Sequence, residues 1–312
     1  MVKVGVIGVG GWGKNHLRVL KELNVLSSFC DIDITKVKMY EERYGIKGYT
    51  SVDEMLKNED LDAVTICTPT STHYEIGMKT IGLGLDTFIE KPLTYSSREG
   101  EELVSLAREK NVILTVGYIE RFNPAVIELK KILKNGEVGE PLLLEFHREN
   151  RWAGQVRDVG VVMDTSVHDI DTARWIFEKE PKLVFARTGK VISDYEDFAT
   201  IILGFDREKT AFITSNWVTP KRVRQLITVC TNGIVTIDFI TQEIKIDDNE
   251  RTIIPRKEWQ EPLMLELKSF IDCVRRREPP LIKGEDGVNI TKIAEAALIS
   301  SQIGSPIYLQ LG

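Results

Sequence analysis

The run Val2-Lys3-Val4-Gly5-Val6-Ile7 breaks into Gly8-Val9-Gly10-Gly11-Trp12-Gly13 and then into a segment with Leu17, Leu20 and Leu23 on one helical face. A β-branched strand, a glycine turn and an amphipathic helix in that order are what a dinucleotide fold requires. Gly8 permits the tight turn, Gly10 lets backbone approach a diphosphate, and Gly13 lets helix and strand pack, with Gly11 and Trp12 in the same turn. A glycine turn with no ligand is the plainer reading of the motif alone. Asp31, eighteen residues beyond Gly13, ends the next strand-like run where a carboxylate accepts from adenosine ribose hydroxyls and repels a 2′-phosphate, so NAD is expected over NADP. Asp33 is the competing carboxylate.

The alternation continues through strands near 48–50, 63–67, 86–89 and 112–116, with helices near 35–44, from Asp53, 72–83 and 97–110. Strands alternating with helices predict an α/β fold, here a doubly wound parallel sheet over 1–119. Ligands in such sheets sit beyond the strand carboxyl ends, where Thr68-Pro69-Thr70, Glu90-Lys91-Pro92 and Gly117-Tyr118 fall. Lys91 is the telling member of that set. The proline after it biases it toward extended backbone, which aims an amine from the end of an apolar strand.

From residue 120 to 312 the pattern changes to strand-like runs without intervening helices: 142–146, 183–188, 198–205, 210–217, 225–231 and 234–237, the last two joined by Asn232-Gly233. They predict an α+β domain with a large, open, mostly antiparallel sheet, flanked by helices at 124–134, 263–276 and 287–302. One face of the sheet is expected to cover the substrate and the other to join subunits, as a homodimer or homotetramer.

A net charge of -6 gives no nucleic-acid footprint, and no apolar run is long enough to span a bilayer. The opening residues lack a signal-peptide pattern, so a cytoplasmic enzyme with a small-molecule partner is expected. Cys30, Cys67, Cys230 and Cys273 are widely spaced in apolar contexts, and His16, His73, His147 and His168 have no metal-ligand spacing, so no metal is expected. Arginines cluster at Arg148, Arg151 and Arg157 and at Lys221-Arg222-Arg224. Their guanidinium forks suit a diphosphate, although solvated surface charge is the plainer account.

GVGGWG, CTPTSTH (67–73), EKP (90–92), ERFNP (120–124) and DTSVHDID (164–171) together resemble the glucose-fructose oxidoreductase/inositol dehydrogenase/rhizopine catabolism (Gfo/Idh/MocA) family, with the motifs in family order along nearly the whole chain. The GYIERFNPAV stretch is most similar to the branch containing UDP-N-acetylglucosamine 3-dehydrogenases. The resemblance implies Lys91, Asp164 and His168 as the catalytic group, a cis Lys91-Pro92 bond, and NAD lined by the glycine loop with Thr68, Pro69, Thr70, His73, Glu90 and Pro92. It also implies substrate or nicotinamide contacts from Arg121 and Asn123; Arg151, Trp152 and Arg157 of the first arginine cluster are the further candidate substrate residues. Many members carry a glycine between the aspartate and the histidine, where this chain has Thr165-Ser166-Val167.

The residue types fit oxidation of a secondary alcohol. Lysine and histidine are suited to take a hydroxyl proton and stabilise the developing alkoxide, and Asp164 and His168, four apart, share a face if the segment is helical. The expected activity is therefore NAD-dependent oxidation of a sugar ring hydroxyl, foremost the 3-hydroxyl of a UDP-N-acetylhexosamine. The alternatives are an inositol or free-sugar dehydrogenase, NAD-assisted glycoside cleavage, and a non-catalytic NAD/sugar-sensing regulator.

Overall fold

The structure is a computed structural model that describes residues 2–151, 158–206, 208–256 and 258–311. The chain opens with strands β1 (Val4–Ile7), β2 (Leu26–Cys30), β3 (Lys47–Tyr49), β4 (Ala63–Ile66), β5 (Asp86–Glu90) and β6 (Leu114–Gly117). Between them run helices α1 (Gly13–Glu22), α2 (Ile34–Tyr44), α3 (Val52–Asn58), α4 (His73–Gly82) and α5 (Ser97–Lys110). Next come α6 (Pro124–Lys134), β7 (Pro141–Arg151), α7 (Val167–Phe177), β8 (Leu183–Gly189), β9 (Phe198–Gly204), β10 (Thr210–Asn216), β11 (Val218–Cys230), β12 (Gly233–Asp238), β13 (Ile244–Asp247) and β14 (Thr252–Ile253). The chain closes with α8 (Pro262–Arg276), α9 (Gly284–Ile303) and β15 (Ile307–Tyr308).

Among the described residues the strands form two sheets, and the chain divides into two compact units. The first unit holds a parallel sheet ordered β3-β2-β1-β4-β5-β6. Strands β1, β4 and β5 are buried along their length, as strands covered on both faces must be. The order reverses between β1 and β4, which places a ligand crevice at their carboxyl ends. Helix boundaries follow local chemistry. Ser96 closes a capping box with Glu99 at the start of α5, and Ser51 and Asp33 cap α3 and α2.

The first unit comprises Met1–Tyr118 together with Leu263–Thr291. Residues 263–291 were expected with the second domain, and packing takes them to the first. Phe270 of α8 meets Phe88 of β5 edge to face at 5.7 Å, Thr115 donates to the carbonyl of Ile282 at 2.7 Å, and Arg277 pairs with Asp86 at 2.5 Å. These contacts cover a sheet face that would otherwise be wet.

The second unit, Ile119–Pro262 with Lys292–Gly312, is built on a sheet ordered β14-β13-β12-β11-β7-β10-β9-β8-β15, antiparallel except for the β10–β7 pair. One face is buried along alternate residues such as Leu144, Phe146, Ala211, Ile213, Leu226 and Thr228, and the other is half-exposed. Helix α7 enters through one wide turn, Val162–Ser166, of π-helical geometry.

Candidate active site

In the first unit the glycines of the loop after β1 separate by physical cause. Gly8 has φ 84°, a left-handed conformation that glycine alone takes freely, and a Cβ there would lie 2.8 Å from Thr68 Cγ2. A Cβ on Gly13 would lie 1.9 Å from the Gly8 carbonyl oxygen, so α1 leaves the loop at a separation that permits no side chain. Gly10 and Gly11 are different. A Cβ on Gly10 would meet only Lys36 Nζ at 3.9 Å, and one on Gly11 would meet nothing within 4 Å. The fold does not need glycine at either position, and the space they keep open lies beside the α1 N-terminus, where a diphosphate fits. Trp12, 47% exposed, stands next to them.

Asp31 completes this side. Its Oδ2 accepts from the Val9 amide and its Oδ1 from the Asp33 amide, both at 2.9 Å, which fixes the carboxylate at the end of β2. Lys36 Nζ stands 3.5 Å away. Asp33, the competing carboxylate, accepts from Thr35 N as the N-cap of α2. The residues present thus fit NAD, with open glycines for the diphosphate and an oriented carboxylate for the ribose.

At the carboxyl ends of β4 and β5 the expected cofactor residues form a hydrogen-bonded frame. Thr68 Oγ1 accepts from Thr72 Oγ1 at 2.7 Å, Thr70 is buried and Pro69 is exposed. His73 lies with Nε2 2.9 Å from the Thr68 carbonyl and Nδ1 2.9 Å from the Pro92 carbonyl. Carbonyls only accept, so both contacts are hydrogen bonds together when the ring carries both protons. Glu90 accepts from His16 Nε2 at 2.9 Å and from the Lys91 backbone amide at 3.2 Å. His73 and Glu90, expected to line the cofactor, are both held by protein partners at the carboxyl ends of β4 and β5. The Lys91-Pro92 bond is cis, and Lys91 is half-buried at the strand end.

In the second unit, the run from Val159 to Arg174 is buried at every position except Asp164 and His168. Residues 164 and 168 lie about one helical turn apart across the π-turn and the start of α7, and Thr165, Ser166 and Val167 between them are buried. Glu196 pins the turn, its carbonyl and Oε1 accepting from the amides of Val161 and Val162 at 2.9 and 3.1 Å. Thr165 Oγ1 donates to Asp164 Oδ2 at 3.0 Å and accepts from Trp217 Nε1 at 3.1 Å. The N-cap residue of α7, Ser166, makes no side-chain capping bond among the described residues.

Beneath α7 lies a buried charge network that sequence reasoning missed. Arg148 of β7 donates to Asp169 Oδ1 at 3.0 Å and to Glu120 Oε1 at 2.9 Å, and its guanidinium stands 5.0 Å from the Phe239 ring. Burial pushes the Asp169 carboxyl up, and Arg148 opposes that push. Arg121 donates to both oxygens of Asp171 at 3.0 Å. Asn123 accepts from Ala125 N as the cap of α6 and donates to Glu120 Oε2 and the Phe239 carbonyl. Arg121 and Asn123, expected to contact substrate or nicotinamide, are 5% and 1% exposed; Arg121 holds Asp171 of α7, and Asn123 ties the start of α6 to Glu120 and Phe239. The signal that could have found the network was the matching of Arg121 and Arg148 with the Asp-x-Asp after His168.

Arg151 is exposed at the end of β7, and Trp152 and Arg157 lie outside the described residues. Arg224, cross-strand from Arg148 in register, has no ion pair or side-chain hydrogen bond among the described residues. Burial, followed by the charge of Arg148, lowers its pKa to about 10. Among the described residues no group of three or more His, Cys, Asp or Glu is gathered as a metal would need.

Residues 2–118 match the family described as "Oxidoreductase family, NAD-binding Rossmann fold", and residues 126–236 match the GFO/IDH/MocA C-terminal domain. The chain belongs to the Gfo/Idh/MocA oxidoreductase family. It is 26% identical to a UDP-N-acetylglucosamine 3-dehydrogenase of Acidithiobacillus ferrooxidans over 95% of each chain, and 27% identical to a myo-inositol 2-dehydrogenase of Thermotoga maritima over 92% of each. A solved structure of the Acidithiobacillus enzyme superposes with a TM-score of 0.89 at 25% identity, covering 96% of this chain and 98% of that one. This Gfo/Idh/MocA protein is an NAD-dependent oxidoreductase of the sugar-dehydrogenase kind. No helix among its described residues is long and apolar enough to cross a membrane.

Proposed function

We propose that this dehydrogenase oxidises the 3-hydroxyl of a UDP-N-acetylhexosamine to the 3-keto sugar, with Lys91, Asp164 and His168 as its catalytic residues. One observation carries the reading of the site: a buried helical run whose outward positions are an aspartate and a histidine. Both positions are half-buried, where a titratable side chain costs more than on a wetted face, and an acid and a base four residues apart there suit proton transfer. NAD, when bound, supplies the hydride acceptor. His168 takes the hydroxyl proton, Lys91 places positive charge against the oxygen as it becomes an alkoxide, and Asp164 orients one of the two.

The nucleotide sugar is favoured over inositol by Arg224. Its guanidinium is half-buried with no ion pair among the described residues, and burial and the charge of Arg148 outweigh the attraction of Glu120 and Asp169, so an added anion would stabilise it and a diphosphate matches its fork. An inositol supplies no such charge.

The test measures NADH absorbance with NAD and either UDP-N-acetylglucosamine, N-acetylglucosamine or myo-inositol, with a carbonyl trap present. The expected result is turnover of the nucleotide sugar alone. Lys91→Met and His168→Asn should each lower kcat by about 10² or more while leaving NAD affinity within about threefold. Near-normal turnover in both variants would sink the catalytic assignment. Turnover of myo-inositol alone would discard the substrate and leave the site standing.

A further inference from the structure

His16 is the fourth residue of α1, is fully buried, and was not among the residues that the sequence pointed to as functional. Its Nε2 lies 2.9 Å from Glu90 Oε1, and its Nδ1 has no hydrogen-bond partner among the described residues, so Glu90 is what orients the ring. The other Glu90 oxygen accepts the backbone N–H of Lys91 at 3.2 Å. The space for that carboxylate exists because residue 117 is glycine: a Cβ there would lie 2.9 Å from all three atoms of the Glu90 carboxyl group. Phe88 closes the site, its ring edge to face with His16 at 5.4 Å.

A buried imidazole facing a buried carboxylate is an expensive way to fill a core, since each group loses water and only a well-placed partner compensates. An apolar pair of the same volume would pack as well. What the polar pair adds is direction, because Glu90 is bonded on one side to α1 and on the other to the amide of Lys91. We propose that His16 and Glu90 are positioning residues, a buried pair that sets the backbone of Lys91, and with it the place of its amine, from the helix that borders the NAD diphosphate site. His73 holds the far side of the same tripeptide through the Pro92 carbonyl. The inference rests on the reading of Lys91 as the partner of the reacting hydroxyl.

The test compares wild-type protein with His16→Leu, which removes the donor, and His16→Gln, which keeps a donor near the Nε2 position. Its first readout needs neither cofactor nor substrate: the rate at which acetic anhydride labels Lys91, followed by peptide mass spectrometry and normalised to exposed lysines such as Lys110. The Lys91 rate should change by at least about threefold in His16→Leu and return toward wild type in His16→Gln, with NAD affinity, read by tryptophan fluorescence, changed by less than about threefold.

With a turned-over substrate, UDP-N-acetylglucosamine or myo-inositol, kcat should fall about tenfold in His16→Leu while KM stays within about twofold, and His16→Gln should recover most of the loss. Unchanged Lys91 labelling in folded His16→Leu overturns the inference. Should that variant not fold, Glu90→Gln carries the same comparison, because its amide cannot accept from both His16 and Lys91. Lys91→Met separates the two readings. If it keeps turnover, the catalytic role of Lys91 fails, whereas the labelling result still decides whether His16 positions it.

Discussion

A methyl group added at Gly13 and one added at Gly10 would meet different things, and the contrast separates a glycine kept for the fold from one kept for a ligand. At Gly13 the added Cβ would lie 1.9 Å from the Gly8 carbonyl, so strand and helix must part, and Gly13→Ala should cost about 3 kcal/mol or more. At Gly10 the protein offers open space, so Gly10→Ala should unfold within about 0.5 kcal/mol of wild type in urea. It should nonetheless weaken NAD binding about tenfold or more, because the methyl occupies the volume where the diphosphate approaches. Fluorescence titration checks this, and unaltered NAD affinity in Gly10→Ala would move the diphosphate away from this loop. The glycine spacing and Asp31 were legible because each has a local cause. The inward turn of Glu90, His73, Arg121 and Asn123 was not, because their partners come from distant parts of the chain.

At the scale of elements, the turn that presents Asp164 and His168 depends on a neighbouring loop. The hairpin between β8 and β9 folds around Asp197, whose carboxylate accepts from the amides of Val191, Ile192 and Ser193 at 2.5, 2.6 and 3.2 Å. The adjacent Glu196 holds the π-turn. Burial pushes the Asp197 carboxyl up, and the amides of Ile192 and Val191 outweigh it, so the net shift is downward. A carboxyl with a lowered folded-state pKa stabilises the fold above its unfolded value of about 3.9, and that contribution is lost as pH falls through the folded value. Asp197→Asn should therefore cost about 1–3 kcal/mol in urea at pH 7, with the gap to wild type closing only below about pH 4. A gap independent of pH down to the acid transition would remove the charge from the account. Sequence reading placed β8, β9 and β10 well because their alternation is regular. It missed the first half of β11, where Thr219-Pro220-Lys221-Arg222 looks like a loop, and the short β13, β14 and β15, which are too brief to carry a period.

For the whole molecule, the open face of the large sheet sets the remaining question. In register across it run Phe185, Ile202, Phe212, Glu145, Ile227 and Thr236, each half-exposed while the neighbours on either side in its strand, such as Ala211 and Ile213, are mostly buried. Apolar side chains in a row on a wide sheet face are the composition of a subunit interface more than of a wetted surface. The strand pattern predicts two distinct faces directly, because a period of two turns one side inward and the other outward. The packing of α8 onto the first unit could not be read in the same way, since an amphipathic helix says that it has a buried stripe and not which sheet the stripe meets. We expect light scattering to return twice or four times the chain mass of 35.4 kDa for the wild type. Phe212→Asp, at the middle of the row, should shift that mass toward a single chain while NAD binding in the first unit persists, because a carboxylate buried there would have no cation within its own row to pair with. A wild-type mass of 35.4 kDa would leave the face to solvent and remove the interface from this account of the sheet.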